Sequence, residues 1–165
     1  MKAEMTHRNL CIKGSKYLRN QGLQPFHRCQ YVVCELERVG ECPDAFGWGS
    51  STTQLIEVKV SRNDFLSDKK KFWRKNPFRG IGRHRSYLCP SNLIKPKELP
   101  KYWGLLYADK KGKITEIVES QLQECNHIEE INLITSILRR ENINPKIFNY
   151  KVYKKDVELT KQNES

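Results

Sequence analysis

Three residues have the types and spacing to do chemistry together: Asp44, in the pair Pro43-Asp44, and, after twelve further residues, Glu57 and Lys59 in the triplet Glu57-Val58-Lys59. The triplet lies in an apolar run, Gln54-Leu55-Ile56-Glu57-Val58-Lys59-Val60, which reads as a strand. Side chains alternate faces along a strand, so Leu55, Glu57 and Lys59 share one face while Ile56, Val58 and Val60 take the other. A carboxylate and an ammonium in so apolar a strand are costly unless each has a partner. A divalent cation and a phosphate would supply both partners.

That chemistry is phosphodiester hydrolysis. Mg²⁺ prefers oxygen ligands and keeps several waters, so one or two carboxylates suffice to hold it. Asp44 and Glu57 are those carboxylates, the backbone carbonyl of Val58 can add a ligand, and Mn²⁺ would serve in place of Mg²⁺. The metal lowers the pKa of a bound water and polarises the phosphoryl oxygen. Lys59 can orient or deprotonate that water, or neutralise charge in the transition state, and the sequence leaves these roles open. A Glu-x-Lys triplet is common as a surface salt bridge, so three additions carry the reading. Pro-Asp lies in the preceding strand, the Glu57 strand is otherwise apolar, and a basic segment follows it directly.

The basic segment accounts for most of the charge. The 165 residues carry a formal net charge of +11, and nine Lys or Arg against two Asp between Arg62 and Arg85 supply +7 of it. Concentrated positive charge beside a hydrolytic strand points to a polyanion, with nucleic acid first among them. Arg62, Lys70, Lys71, Arg74, Arg79, Arg83 and Arg85 are the candidate grips on a DNA backbone, and Phe78 in a basic loop is placed to stack on a base. The six cysteines contain no C-x-x-C pair, and His27 with Cys29 is a poor zinc signature; reduced, buried thiols are expected.

The elements that position these residues follow from periodicity and punctuation. A helix over residues 3–20 stops at Gly22, and a strand over 31–37 is followed by strands near 42–48 and 53–60, a short antiparallel meander. A helix with Ser61 or Asn63 as N-cap runs to about Lys75, where Pro77 prevents continuation, with Phe65, Leu66, Phe72 and Trp73 on one face and the latter two in the core. Strands over 84–89, 102–108 and 113–118 follow, the last two as a hairpin. Asn126 with Glu129 resembles a capping box opening an amphipathic helix whose apolar residues are Ile128, Ile131, Ile134, Ile137 and Leu138. Residues 1–155 are expected to form one domain, with 156–165 a disordered tail beyond the aromatic Phe148, Tyr150 and Tyr153. Without a long apolar run or an h-region the chain is expected in the cytoplasm, with no membrane contact and no evident homodimer interface.

On Pro43-Asp44 and Glu57-Val58-Lys59, in that order of elements, the chain resembles the PD-(D/E)XK, or restriction-endonuclease-like, nucleases. The longer run Glu57-Val58-Lys59-Val60-Ser61-Arg62-Asn63-Asp64-Phe65, with Asp68-Lys69, Leu99-Pro100 and Gly104 to Asp109, is similar to a bacterial DNA-repair subgroup, the MmcB-like proteins. The resemblance spans about Cys29 to Val118. It implies an α/β fold with an αβββαβ core, a mixed sheet flanked by helices, an appended hairpin and a C-terminal helix. It also implies a Mg²⁺-dependent deoxyribonuclease acting in DNA repair or in phage or mobile-element DNA processing. Many relatives carry a further acid in the first helix or strand, for which Glu4, Glu35 and Glu37 are candidates and Glu35 is preferred. The segment 76–85 is longer and more basic than the subgroup's connection. The competing reading is a non-catalytic nucleic-acid-binding module on the same fold.

Overall fold

A computed structural model describes residues 5–23 and 28–148. Glu4, His27, Tyr150, Tyr153 and the segment 156–165 lie outside them. The chain forms two compact units, residues 1–133 and 134–165. In the first unit helix α1 (His7–Asn20) precedes strands β1 (Tyr31–Cys34), β2 (Ala45–Trp48) and β3 (Thr53–Val58). Helix α2 (Arg62–Asp68), the single turn α3 (Phe72–Lys75), and strands β4 (His84–Pro90), β5 (Gly104–Ala108) and β6 (Ile114–Val118) follow. Helix α4 (His127–Arg140) runs from this unit into the second, where Asn142 takes a left-handed conformation (φ 59°) and the Ile143 N–H bonds back to the Leu138 carbonyl, closing the helix.

The six strands form one sheet in chain order. β1, β2 and β3 are antiparallel, β4 and β5 join in parallel, and β6 returns antiparallel to β5. The expected αβββαβ order is present, and the hairpin β5–β6 extends the same sheet because β5 pairs directly with β4. Among the described residues no helix is long and apolar enough to cross a membrane.

Alternation along β3 divides the core. Ile56 and Val58 join Leu88, Leu106 and Ala108 beneath α1, whose Leu10, Cys11 and Leu18 face them. Gly14 lets α1 come that close, since a Cβ there would stand 3.2 Å from Leu88 Cδ2 and 3.4 Å from Ile56 Cγ2. On the other face Phe65 of α2 meets Tyr87 edge-on and Tyr87 stacks on Trp103. Leu55, Glu57 and Lys59 belong to this side, as the strand period requires, and β3 is buried on both faces. Thr6 caps α1 through its hydroxyl, which accepts the Asn9 N–H, so the helix begins at His7 rather than at residue 3.

Several elements differ from the sequence reading for identifiable reasons. β1 ends at Cys34 because Glu35 adopts a left-handed conformation (φ 51°), so Glu35 and Glu37 do not share a strand face. The helix expected to reach Lys75 breaks after Asp68, and Lys71 is extended (ψ 147°) before α3. With that break Leu66 and Phe72 face solvent and Trp73 is only half-buried, not core. Ile128 and Ile131 of α4 are exposed too, the residues buried on this helix being Glu130 and Leu133. Cys11, Cys29 and Cys89 are buried free thiols, whereas Cys42 is exposed.

The close approach at Gly14 is testable. Gly14→Val would force its side chain into Leu88 and Ile56, and overpacking of this kind costs about 1–3 kcal/mol. A lower urea midpoint at unchanged m-value is the expected outcome.

Candidate active site and its ion-pair network

Asp44 stands one residue before β2, whose first ladder pair is Ala45 with Ile56. Continuing that register brings Asp44 alongside Glu57, and its Oδ2 accepts the Val58 N–H at 2.8 Å. This contact runs through the Val58 amide. Asp44 Oδ1 lies 3.4 Å from Nε2 of His7, and Nδ1 of the same ring lies 3.9 Å from Oε1 of Glu35. Glu35 also donates its backbone N–H to the Asp44 carbonyl, at 2.9 Å. The three expected residues and the preferred extra acid therefore converge, with His7, absent from the sequence reading, between two of them.

Glu57 is only 2% exposed and its neighbours are cations. Its Oε2 accepts from Lys59 Nζ at 3.2 Å, stands 3.3 Å from Arg74 Nη2 and 3.8 Å from Lys71 Nζ. Lys59 and Arg74 are shared with Asp68, whose carboxylate lies 3.2 Å from Lys59, 2.9 Å from Lys71 and 2.7 Å from Arg74 Nε, and accepts the Tyr87 hydroxyl at 2.7 Å. Arg74 continues to Glu41 Oε1 at 2.9 Å, and Glu41 Oε2 accepts the Ile81 N–H at 2.8 Å. The Arg74 guanidinium also lies over the Trp103 ring at 4.5 Å.

This arrangement sets the protonation states. Burial pushes the Asp44 carboxyl up and Glu57 adds to it, while the Val58 N–H, Lys59 and His7 offset part of the rise. Burial alone would lower Lys59, but Glu57, Asp68 and Asp44 reverse it and hold the ammonium above its ordinary value. Lys59 is therefore held as a cation between carboxylates. Burial likewise opposes ionisation of Asp68, yet Arg74 and Lys59 overcome it and hold the carboxyl well below its usual range.

The donor chemistry suits a hard divalent ion: the β2–β3 register sets Asp44 near enough to Glu57 for the two charges to interact, and the cation contacts of Glu57 fall on Oε2. His7, Cys11 and Asp44 also bring ligand atoms within 4.8 Å of one another. Burial first, then Asp44, pushes the Cys11 thiol far up.

The basic residues divide into two groups. Arg74 and Arg85 do not face a polymer. The Arg74 side chain is buried in the network, and Arg85, fully buried, donates to the carbonyls of Gly82, Pro77, Gly80 and Glu124, tying down the 76–82 loop. Lys70 and Arg79 are exposed and Arg83 is half-buried. Lys71 sits at the mouth of the network, 46% exposed. Arg62 is exposed but holds Glu98 with two bonds of 2.8 and 2.6 Å. Beside Arg74 a cleft of about 660 Å³ is lined by Trp73, Phe78, Tyr102 and Trp103, with Lys101 at its edge. His84, buried, contacts Ser120 Oγ at 3.4 Å and takes no part in the site.

Sequence reasoning missed His7, Glu41 and the role of Arg74. The spacing of His7 and Cys11, four apart on a helix, was the available signal for the first, but only the docking of α1 beside Asp44 gives it meaning.

No family model matches the chain, and no curated relative does. Among solved structures, a protein of unknown function from Silicibacter pomeroyi superposes with a TM-score of 0.56 at 22% identity, covering 89% of this chain and 100% of that one. At that identity the likeness is one of fold.

The network predicts a pH signature. Asp68→Asn would leave Lys59 and Arg74 short of a buried partner, a loss of about 3–5 kcal/mol at neutral pH. Because the folded Asp68 pKa lies below the unfolded value, its stabilisation is present above pH ~4 and fades as pH falls through the folded value. The stability gap between wild type and Asp68→Asn, measured by urea unfolding across pH, should be widest near neutrality and narrow in acid.

Proposed function

We propose that this protein is a metal-dependent nuclease that hydrolyses DNA phosphodiester bonds, acting in DNA repair or in processing of phage or mobile-element DNA. The observation that carries the reading is the register that sets Asp44 beside Glu57 across β2 and β3, with Asp44 on the Val58 N–H and the Lys59 ammonium 3.2 Å from Glu57. A fixed cation beside paired carboxylates is what stabilisation of a phosphoryl-transfer transition state requires. Mg²⁺ or Mn²⁺, held by Asp44 and Glu57 with the Val58 carbonyl as a further ligand, would supply an activated water and a polarised phosphoryl oxygen.

The residues of the chain do the rest. Lys59 neutralises charge on the phosphate, and Asp68 with Glu57 keeps it protonated and aimed. His7 orients Asp44 from α1. Lys71 at the mouth meets the incoming backbone, with Lys70, Arg79 and Arg83 extending the positive surface, and the aromatic cleft beside Arg74 suits an unstacked base.

One observation favours the second reading, a non-catalytic nucleic-acid-binding module. Glu57 already has three cations around it, so its burial does not demand a metal. Cleavage of labelled single-stranded, duplex and branched DNA with Mg²⁺ or Mn²⁺ separates the two. A nuclease gives products that vanish with chelator, in Asp44→Asn and in Lys59→Ala, while DNA binding persists and weakens steeply with salt. Binding without cleavage by every form, wild type included, would transfer the assignment to the module.

A further inference from the structure

Away from this site, three side chains around the start of α4 bring unlike metal-binding donors together. The ligand atoms of Cys125, His127 and Glu130 all lie within 4.8 Å of one another. Cys125 Sγ stands 3.6 Å from Nδ1 of His127, and that nitrogen stands 3.0 Å from Oε2 of Glu130. We infer that Cys125, His127 and Glu130 form a site for a borderline-soft divalent cation, Zn²⁺ in the first place.

The geometry is close to what such an ion demands. Around a tetrahedral Zn²⁺, the usual bond lengths put sulfur and nitrogen donors roughly 3.5 Å apart and nitrogen and oxygen donors roughly 3.4 Å apart. The observed separations differ from these by a few tenths of an ångström. The third separation, between Cys125 Sγ and the Glu130 carboxylate, is within 4.8 Å.

The donors are also held by their surroundings, as ligands of a working site are. Glu130 Oε1 is anchored by the Thr53 hydroxyl at 2.7 Å and the Gly82 N–H at 2.9 Å, which leaves Oε2 turned towards His127. The segment carrying Cys125 is pinned on both sides. The Gln123 N–H bonds the Arg83 carbonyl at 3.0 Å, and the Asn126 N–H bonds the Gly80 carbonyl at 2.8 Å. Asn126 also caps α4 through Oδ1, which accepts the Glu129 N–H, and this fixes where His127 begins the helix.

Cys125 and His127 line a cleft of about 580 Å³ with Arg83, Leu122 and Gln123, so an ion has a way in and a fourth position is open to water. Thiolate, carboxylate and neutral imidazole together balance the charge of a divalent ion. Binding releases the thiol proton to solvent, shifts the imidazole proton from Nδ1 to Nε2, and replaces the His127–Glu130 hydrogen bond with two metal bonds. The mixed sulfur, nitrogen and oxygen set selects against Mg²⁺, which separates this site from the one around Asp44. Through Glu130 the ion would tie the first turn of α4 to β3 and to the turn before β4.

Co²⁺ is the probe, because its spectrum reports coordination. Titrating the reduced full-length chain in excess Mg²⁺, which keeps the Asp44 site occupied, should give saturable uptake of one equivalent, with a near-ultraviolet thiolate-to-cobalt charge-transfer band and visible bands of tetrahedral intensity that Zn²⁺ displaces. Cys125→Ser should remove the charge-transfer band and His127→Ala should abolish saturable uptake, each with an unchanged far-ultraviolet circular dichroism spectrum. Cys42→Ser and His7→Ala should leave both signals intact. Survival of the band in Cys125→Ser, its loss in His7→Ala, or the absence of saturable uptake by the wild type would overturn the assignment.

Discussion

The structure depends on holding the carboxyl groups of Glu57 and Asp68 out of water among cations. Each buried charge costs several kcal/mol after relaxation, and the cost is met only when partners and hydrogen bonds occupy the remaining lone pairs. Lys59 and Arg74 are those partners, and each is shared between the two acids. The Tyr87 hydroxyl supplies a further bond to Asp68, and Glu41 takes the remaining end of Arg74. An uncompensated charge would be left behind if any one member were absent, so the group acts as a unit.

Much of the local backbone follows from that demand. On an unbroken helix, positions 68 and 74 would be turned by about 240° from one another, too far for an ion pair. Breaking the helix between Asp68 and Phe72 lets Arg74 swing back to both acids and lie over Trp103. The segment leading to Asp44 is held from the same centre, since Glu41 joins Arg74 to the Ile81 N–H. The approach of Asp44 to Glu57, on which the proposed chemistry rests, is thus tied to the network.

The network also divides the basic segment. Arg74 and Arg85 count towards its charge but spend it internally, one on carboxylates and the other on loop carbonyls. Of the remaining basic residues Lys71 stands at the network, while Lys70 and Arg79 are exposed and Arg83 is half-buried. The centre is nearly charge-balanced and the periphery positive. Such an arrangement attracts a phosphate backbone while leaving its close approach to be decided by geometry.

The sequence by itself determined the layered α/β architecture, the meander, the shared face of Leu55, Glu57 and Lys59, a helix cap at Ser61 or Asn63 and another at Asn126, and the turn that sets Asp44 beside Glu57. These follow from periodicity, turn chemistry and capping, which act over a few residues and are written locally. Tertiary structure decided what those signals could not reach. It chose the helix break at Lys69–Lys71, the inward course of Arg74 and Arg85, the approach of His7 to Asp44, and the exposure of Phe72, Ile128 and Ile131. Each depends on a partner distant in the chain, Glu41 lying 33 residues from Arg74 and Asp44 lying 37 from His7. A buried charge is placed by whichever counter-charge the fold delivers, and a local pattern does not encode that delivery.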